Sequence, residues 1–579
     1  MTGKWNYLPL TSEQKRICGE FEQKYPNCPA ISRLLVLRNL RSLKDVRDFF
    51  YPVIKQLHDP FLLKDMDKAV ARLNHALGAK EKIMIYGDYD VDGTTAVALV
   101  YRYLQNFYSN LIYYIPTRQD EGYGISLQSI DYAKSVGVSL IIVLDCGIKA
   151  IEEITYAKSL GIDFIVCDHH VPDDVLPPAA AILNPKQPAD NYPFKGLSGC
   201  GVGFKFMQAF AQSNGTEEIH KLEPLLDLVA VSVIADLVPL IGENRVFTLY
   251  GLKYLNAGKN LGLKHVIRNC HLAEREIDIS HITFKIAPRL NAPGRMQSGM
   301  DTVALLVTKD PVQAEKLAAR IEQFNEQRKQ LDKQITTEAG EIVAAHRDDL
   351  GARKPIVIYD PAWHKGIVGI VAARMAELYL KPAVVLTDDG NGFATGSARS
   401  VHNFDVYQAV RSCRHLLKNY GGHTNAVGLT LPIENIDAFR ADFTEYVEAH
   451  ITDEQIVRSV NVDAQVTLAE INTEFLRYLR HFSPYGVDNP KPVFVAHNVK
   501  CTDAKLVGKN SQHIRVSITD GTTQAPLHAI AFNLAKRFNE IKDGQPFDIC
   551  FTIGSAMAHH TDQRNKPPQL LIHDIHTYL

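Results

Sequence analysis

The chain lacks the cysteine pairs and the long apolar segments that would assign it to several common classes of protein. Its nine cysteines are scattered and form no CxxC pair, which argues against a zinc ribbon or a disulfide framework and favours a reducing compartment. The N-terminal stretch MTGKWNYLPLTSEQK contains no uninterrupted apolar run, so no signal peptide is indicated. The longest strongly apolar stretch, LVAVSVIADLVPLIG from Leu228, is too short to span a bilayer and carries an aspartate. We therefore expect a cytoplasmic protein that does not contact a membrane.

The chain also has no net positive charge. The net charge of −2 excludes a globally basic nucleic-acid binder but leaves room for a local basic channel beside an acidic site. A length of 579 residues exceeds what one hydrophobic core usually serves, so three or four domains are expected. The composition, with 46% hydrophobic and 22% charged residues, is typical of a globular protein.

Residues from about 80 to 240 predict an α/β domain with a parallel sheet. The runs KIMIYG (82–87), SLIIVLDCG (139–147) and DFIVCDHH (163–170) are apolar throughout, as in strands that are buried on both faces. Helix-like stretches separate these runs, which gives a βαβ series. Open α/β sheets bind ligands at the carboxyl ends of their strands.

The rest of the chain predicts three further parts. Residues 305–350 are predicted to form a helical connector, because the stretch is rich in charged residues and poor in glycine. A second α/β domain follows at 351–454, with the stretches GSARS (396–400) and YGGHTNAVGL (420–429). Short alternating runs over residues 455–579 suggest a small β-barrel. The first fifty residues are predicted to be a helical extension without chemistry.

Acidic and histidine residues recur where the predicted strands end. They occur in DYDVDG (88–93), LDCG (144–147), CDHH (167–170) and IADLVPL (234–240). An EF-hand loop is excluded because its twelfth position, which needs a glutamate, is Leu99. Taken singly, each aspartate could cap a helix or form a turn, and the paired histidines could lie in the core or on the surface. Taken together, the groups predict two ions, Mn²⁺ or Mg²⁺, that share a bridging aspartate and lie roughly 3.5–4 Å apart.

This ordered set of motifs resembles the DHH phosphoesterase superfamily, which is named for the triplet that here is Asp168-His169-His170. GGHTNAVG (421–428) is similar to the glycine-rich motif of the associated DHHA1 domain. PTRQDEGYG (116–124), APRLNAPGR (287–295) and GSARS narrow the resemblance to the single-strand-specific 5′→3′ DNA exonucleases of the superfamily. The resemblance implies a DHH domain at 51–304, a DHHA1 domain at 351–454 and an OB fold at 455–579.

The resemblance also implies roles for individual residues. The implied metal ligands are Asp90, Asp92, Asp145, His169 and Asp236, with Asp145 as the bridge and Asp88 as a ligand or a support. The implied catalytic residues are His170, which would contact the scissile phosphate or the nucleophilic water, Asp168, which would orient a histidine, and His423, which would contact a phosphate. A loop histidine that caps a turn is the alternative for His423.

Recognition of a 5′ end requires a phosphate pocket, for which arginine forks and hydroxyl groups are suited. The predicted pocket residues are Arg118, Ser397 and Arg399, followed by Arg289 and Asn291. The predicted phosphate contacts on the barrel are Lys505, Lys509, His513 and Arg515. Salt bridges between domains and a solvated charged surface are the respective alternatives.

The function expected from this resemblance is degradation of single-stranded DNA to 5′-mononucleotides, in recombinational and mismatch repair. A single-strand-binding protein and a helicase are the implied partners, and a monomer is expected. One alternative is a DHH hydrolase of a small molecule such as pyrophosphate or a cyclic dinucleotide, which would not require the second lobe and the barrel. The other alternative is a scaffold without activity, which should have lost some of the aspartates or histidines that are all present here.

Overall fold

The computed structural model describes residues 3–118, 120–215, 219–346, 351–554 and 568–578. The chain forms two compact units, one of residues 53–456 and the other of residues 1–52 together with 457–579. Among the described residues, no helix combines the length and the apolar character needed to cross a membrane.

The chain begins with one strand and three helices. These are β1 (Lys4–Tyr7), α1 (Ser12–Lys24), α2 (Pro29–Leu37) and α3 (Leu43–Phe50). Thr11 and Ser42 start α1 and α3 with capping boxes, in which the side chain of each cap accepts a hydrogen bond from the third residue of its helix.

A five-stranded parallel sheet in the order β3-β2-β4-β5-β6 forms the centre of the next region. Its strands are β2 (Lys82–Gly87), β3 (Leu111–Tyr114), β4 (Val138–Leu144), β5 (Asp163–Cys167) and β6 (Ala181–Leu183). Successive residues of β2 point to opposite faces of the sheet, so that Ile85 and Tyr86 belong to two different hydrophobic cores. The predicted strands and the parallel sheet are therefore confirmed, and burial on both faces explains why their sequences are apolar throughout.

Helices cover both faces of this sheet. They are α4 (Met66–Gly78), α5 (Val91–Leu104), α6 (Leu127–Ser135), α7 (Ile151–Ser159), α8 (Gly199–Asn214), α9 (Ile219–Leu222), α10 (Leu226–Ala235), α11 (Gly242–Asn256) and α12 (Leu261–Asn269). Asp236 follows α10, so the expectation that all the acidic groups follow strands is wrong for this residue. Since α10 is buried on all sides, its sequence has no polar face and could not be distinguished from a buried strand.

The predicted helical connector is confirmed as one long helix preceded by short ones. These elements are α13 (Ile279–His281), a π-helical turn at Ile282–Ile286, α14 (Ala287–Leu290), α15 (Ala292–Met296), α16 (Met300–Val307) and α17 (Pro311–Ala345). Helix α17 is 35 residues long, and Asp310 caps its N-terminus by accepting a hydrogen bond from the backbone of Val312.

The second α/β region contains a mixed sheet in the order β10-β11-β9-β8-β7. Its elements are β7 (Ile356–Tyr359), α18 (Val368–Tyr379), β8 (Ala383–Asp388), β9 (Phe393–Arg399), α19 (Val406–Ser412), β10 (Asn419–His423), β11 (Ala426–Pro432) and α20 (Ile436–His450). The glycine-rich turn predicted to carry function is the hairpin of the edge strand β10 with β11.

The predicted C-terminal barrel is confirmed. Its elements are β12 (Ser459–Val462), β13 (Ala464–Gln465), α21 (Thr473–Phe482), β14 (Phe494–Val507), β15 (His513–Thr519), β16 (Leu527–Ala531), α22 (Phe538–Ile541), β17 (Phe547–Ile553) and β18 (Gln569–Thr577). The sheet runs β13-β14-β15-β16-β18-β17, and pairing of β14 with β17 closes it.

The N-terminal residues are built onto this barrel. Strand β1 pairs in parallel with β12, and the Trp5 indole stacks on His576 at 3.8 Å while donating a hydrogen bond to Asp574. Arg38 forms an ion pair of 3.2 Å with Asp463, and both side chains are buried. The first fifty residues are therefore part of the barrel unit, although their sequence shows no sign of that contact.

Close packing of α11 on α10 generates a stability prediction. A methyl group at Gly251 would lie 2.2 Å from the carbonyl oxygen of Leu226, so Gly251→Ala should destabilise the protein by about 1–3 kcal/mol. Gly340→Ala in α17 is the matched control because its methyl group would meet no atom within 4 Å, and it should stabilise the helix by about 0.4–1 kcal/mol. Thermal unfolding of both variants measures the difference, and an equal effect of the two substitutions would contradict it.

Candidate metal centre and phosphate pocket

The metal-ligand candidates converge at the carboxyl edge of the first sheet. Strands β2, β4 and β5 end in register, with Gly87 beside Leu144 and Leu144 beside Cys167. The next residue of each strand is an aspartate: Asp88, Asp145 and Asp168. The sheet therefore places three carboxylates side by side, and the start of helix α5 adds two more.

Three overlapping groups of side chains each bring their ligand atoms within 4.8 Å of one another. The groups are Asp88, Asp90 and Asp145; Asp92, His169 and Asp236; and Asp145, His169 and His170. His169 Nε2 lies 3.1 Å from Asp145, 3.6 Å from Asp236 and 3.8 Å from Asp92. The structure thus brings together every residue that the sequence proposed as a metal ligand, and Asp145 lies between the two carboxylate groups.

Several of these atoms are buried without a hydrogen-bond partner. They are one carboxylate oxygen of Asp88, one of Asp145 and both ring nitrogens of His169. The 3.1 Å approach of His169 to Asp145 does not have hydrogen-bond geometry. Buried polar atoms are normally paired, so these atoms are suited to a cation. A donor set of carboxylates and imidazole fits Mn²⁺ or Mg²⁺.

The carboxylates at this edge repel one another in the absence of a cation. Burial, and then the neighbouring carboxylates Asp92, Asp90, Asp236 and Asp88, raises the pKa of Asp145 well above its usual range. Burial followed by Asp92 and Asp90 raises the pKa of Asp236 to about 8. A divalent cation would reverse these shifts because it favours the ionised carboxylates.

Asp92 is held by the N-terminus of α8. Its carboxylate accepts hydrogen bonds from the backbone of Gly199 at 2.6 Å and Cys200 at 2.8 Å, and from the Ser232 hydroxyl at 2.6 Å. A helix N-terminus stabilises negative charge. Gly199 is required here because a Cβ atom would lie 2.7 Å from a carboxylate oxygen of Asp145.

Asp145 itself has a left-handed backbone with a φ of 61°. Residues other than glycine rarely adopt this conformation, and such strain is concentrated at functional sites. The turn directs the Asp145 side chain to the end of the sheet next to His169, where the two groups of carboxylates meet.

Asp168 orients His170 rather than joining the metal group. Its Oδ1 accepts a hydrogen bond of 2.7 Å from His170 Nδ1, and its Oδ2 accepts one of 3.0 Å from the backbone of Ile148. Burial opposes the charge of His170, but the hydrogen bond to Asp168 outweighs it and raises the pKa of His170 to about 9. His170 is therefore a cationic donor at neutral pH, with its Nε2 side turned away from Asp168.

His170 lies opposite two further rings. The His423 ring is nearly parallel to it with centroids 6.2 Å apart, so the turn of the second α/β region faces the metal centre. The Tyr123 hydroxyl approaches His170 at 3.4 Å. Tyr123 is 57% exposed and is flanked by Gly122 and Gly124, both with positive φ. This tyrosine was not predicted, although it stands in the quoted motif PTRQDEGYG.

Three arginines gather next to the carboxylates without an acidic partner. They are Arg118, Arg295 and Arg399, and no ion pair among the described residues engages any of them. Burial and then the charges of Arg118, Arg328 and Arg399 lower the pKa of Arg295 to about 10. The Arg118 guanidinium lies 4.9 Å from the centre of the Tyr89 ring, between Asp88 and Asp90 in the chain. The arrangement is suited to an anion.

The other predicted pocket residues differ in their surroundings. Ser397 accepts a hydrogen bond from Arg399 and therefore belongs to this pocket. Arg289 instead forms a two-pronged ion pair with Glu322 of α17, at 2.6 and 3.0 Å. Asn291 is half-buried between α14 and α15. Arg295 was missed although it ends the motif APRLNAPGR, because sequence alone does not show which arginine of a motif already has a partner.

On the barrel, the predicted phosphate contacts lie on the outer surface. Lys505 of β14 and Arg515 of β15 are cross-strand partners and both are exposed. Lys509 is exposed in the loop between these strands. His513 is half-buried, and its ring packs against Phe532 at 5.0 Å.

Family models match three regions of the chain. The DHH family, N-terminal domain, matches residues 82–233, the DHHA1 domain matches residues 353–449, and the RecJ OB domain matches residues 462–574. The single-stranded-DNA-specific exonuclease RecJ of Bacillus subtilis (strain 168) is 37% identical over 94% of this chain and 68% of its own length. The chain belongs to the RecJ family. It is accordingly a hydrolase of the exonuclease type, as the sequence predicted.

Other RecJ proteins are also similar to this chain in sequence and in structure. RecJ of Escherichia coli (strain K12) is 33% identical over 87% of this chain and 89% of its own length. A crystal structure of RecJ from Thermus thermophilus in complex with Mn²⁺ has a TM-score of 0.81 and 24% identity, and covers 99% of this chain and 79% of that one. This likeness confirms the predicted fold class. A second structure of the same protein contains Mg²⁺, so the two metals predicted for this chain are both found in a RecJ.

The raised pKa values generate a prediction on metal-linked stability. A carboxyl whose pKa is raised in the folded protein stabilises that protein below its unfolded pKa, and this stability is lost as the pH rises through the folded value. The metal-free protein should therefore lose stability progressively as the pH rises from 3.8, the ordinary carboxyl pKa, to about 8, the pKa of Asp236, and the loss should level off above that. Mn²⁺ must displace these protons, so its stabilising effect should grow over the same range.

Melting temperatures of chelator-treated protein, measured with and without Mn²⁺ at a series of pH values, test this prediction. In Asp145→Asn the Mn²⁺-dependent increase should be much smaller at every pH. A Mn²⁺-dependent increase that stays constant across the pH series would contradict the prediction.

Proposed function

We propose that this protein is a metal-dependent 5′→3′ exonuclease that degrades single-stranded DNA to 5′-mononucleotides by two-metal hydrolysis. The observation that carries the proposal is the juxtaposition of two incomplete sites of opposite charge. Unpaired carboxylates and His169 form one site, and three arginines without acidic partners form the other. A phosphodiester strand bound to divalent cations would complete both. The names of the RecJ relatives support DNA as the substrate.

The two ions would be held by different groups of residues. Asp88, Asp90 and Asp145 would hold one ion, and Asp92, His169 and Asp236 the other, with Asp145 between them. When bound, the two ions would lower the pKa of a water molecule and offset charge on the phosphoryl oxygens. The buried hydrogen bonds from α8 and Ser232 fix Asp92 so that its position does not depend on the ion.

His170 would contact the phosphate as a cationic donor. Asp168 occupies its Nδ1, so the scissile phosphate would bind at Nε2, where it would replace the Tyr123 hydroxyl that lies 3.4 Å away. The pKa of His170, raised to about 9, favours the cationic ring at neutral pH. Preorganised donors of this kind stabilise the charge that develops on phosphoryl oxygens. His423 faces His170 across the cleft and would contact the same or the neighbouring phosphate.

The arginine pocket would set the direction of cleavage. Arg118, Arg295, Arg399 and Ser397 would bind the terminal 5′-phosphate, because guanidinium groups fit phosphate oxygens in pairs. The pocket borders the metal centre through Tyr89 and Asp90. A strand anchored by its 5′-phosphate in this pocket would present the next phosphodiester bond to the ions, and each cut would release one nucleotide.

The barrel would bind the strand beyond the cut. Lys505, Lys509 and Arg515 supply exposed positive charge on the outer surface of β14 and β15, and OB folds bind single strands in this way. We assign the domain limits 51–304, 305–350, 351–454 and 455–579 to the four parts. The cellular role would be recombinational and mismatch repair with a single-strand-binding protein and a helicase.

A direct assay tests the proposal. The purified protein is incubated with Mn²⁺ or Mg²⁺ and single-stranded DNA labelled at either end, with duplex DNA and pyrophosphate in parallel. We expect 5′-mononucleotides to be released from the 5′ end of the single strand, and no release by Asp145→Asn. Turnover of pyrophosphate with intact DNA would replace the proposal by the small-molecule hydrolase, and release from the 3′ end would refute the direction.

The arginine pocket generates a separate prediction on end recognition. Arg295→Gln should reduce kcat/KM about tenfold or more for 5′-phosphorylated strands, because a charge-assisted hydrogen bond contributes about 1.5–3 kcal/mol. The effect on strands with a 5′-hydroxyl should be small. Arg289→Gln is the matched control, since Glu322 already pairs with this arginine.

The ratio of kcat/KM for the two ends is the measurement, because it does not depend on the fraction of active protein. A ratio that is unchanged in Arg295→Gln, or that falls equally in Arg289→Gln, would show that Arg295 does not recognise the 5′-phosphate.

A further inference from the structure

The segment after β6 holds a lysine next to the metal centre. Strand β6 pairs in parallel with β5, with Leu183 beside Cys167. Beyond the strands the two segments stay together, because Asn184 Nδ2 donates a hydrogen bond of 2.9 Å to the carbonyl of His170. The Asn184 side chain also accepts a hydrogen bond of 2.8 Å from the backbone of Lys186. Asn184 is fully buried, so its side chain links the backbone of Lys186 to the backbone of His170.

The charge of Lys186 acts on the site from this position. Partial burial lowers the pKa of the Lys186 ammonium, although the residue as a whole is exposed, and the carboxylates Asp236 and Asp168 oppose that shift. The same positive charge contributes to the lowered pKa values of His169 and His423, after burial and the effect of His170 on each. Lys186 therefore lies within electrostatic range of both walls of the cleft.

The Lys186 ammonium forms no direct ion pair in the described part of the chain. The residue is exposed. Once divalent ions neutralise the carboxylates, its ammonium remains as an uncompensated positive charge at the cleft. A point charge of this kind binds phosphate oxygens.

We propose that Lys186 binds a backbone phosphate of the strand in the cleft between His170 and His423. The inference rests on the proposed function, because it takes single-stranded DNA as the ligand. It adds a phosphate-binding residue from the segment that follows β6, the strand paired with β5, which leads into the DHH triplet. Lys186 lies in the stretch LNPKQP (183–188), which is outside the sequence motifs quoted above.

Lys149 is the matched control. It follows β4, the other neighbour of β5, and its charge also reaches His423. Its ammonium, however, is already bonded to Asp173 at 2.8 Å, and both side chains are exposed. The two lysines thus share their charge, their exposure and an electrostatic effect on His423, and they differ in whether the ammonium has a partner.

The experiment measures binding of a 5′-phosphorylated, fluorescent single strand to the full-length protein at several salt concentrations. Mn²⁺ is present so that the carboxylates are neutralised, and phosphorothioate linkages at the 5′ end keep the strand intact. Loss of one phosphate contact lowers the slope of log Kd against log salt by about 0.7 for a single strand. Lys186→Gln should weaken binding and lower the slope by this amount, Lys186→Arg should restore both, and Lys149→Gln should leave both unchanged.

Each outcome decides the inference. An unchanged slope in Lys186→Gln, or an equal decrease in Lys149→Gln, would overturn it while leaving the proposed function intact. Weaker binding of Mn²⁺ by Lys186→Gln, measured by calorimetry without DNA, would also overturn it, because the lysine would then act on the metal site. A wild-type protein that binds no single strand would refute the proposed function and this inference together.

Discussion

Repulsion among five carboxylates near one edge of a buried sheet, those of Asp88, Asp90, Asp92, Asp145 and Asp236, is the constraint on which the site depends. Parallel strands that end in register necessarily bring Asp88 and Asp145 together, and the start of α5 adds Asp90 and Asp92. Burial removes the water that would screen these charges, and this is why the pKa of Asp145 is raised so far. The protein partly offsets the repulsion with the N-terminus of α8 at Asp92. Cations are needed for the rest.

The arginine pocket is a second cluster of like charges, in this case positive ones. Burial, and then the charge of Arg118 nearby, lowers the pKa values of Arg295 and Arg399, and no carboxylate among the described residues forms an ion pair with any of the three arginines. Two unsatisfied sites of opposite charge next to each other are costly in an empty protein. Together they favour a ligand that carries anionic groups and binds cations, as a nucleic-acid strand does.

Much of the fold and of the candidate site could be predicted from the sequence, because the features that indicate them are local in the chain. Continuous apolar runs predicted β2, β4 and β5, and motifs at their ends supplied candidate metal ligands that the structure brings close together. The helix before Asp236 was mistaken for a strand because a segment buried on all sides has no periodicity. Arg295 and Arg289 lie in one motif, and only the ion pair with Glu322 distinguishes them. The attachment of β1 to β12 joins residues more than four hundred positions apart, and no local pattern encodes it.

The sequence by itself determined the order of the domains, the type of sheet and the set of candidate metal-binding side chains. These follow from hydrophobic periodicity and from residue types whose chemistry does not depend on context. Tertiary structure alone decided which charges are paired and which remain available. That distinction separates Arg295 from Arg289 and Lys186 from Lys149. The physical reason is that pairing depends on distances of a few ångströms between elements that are remote in the chain.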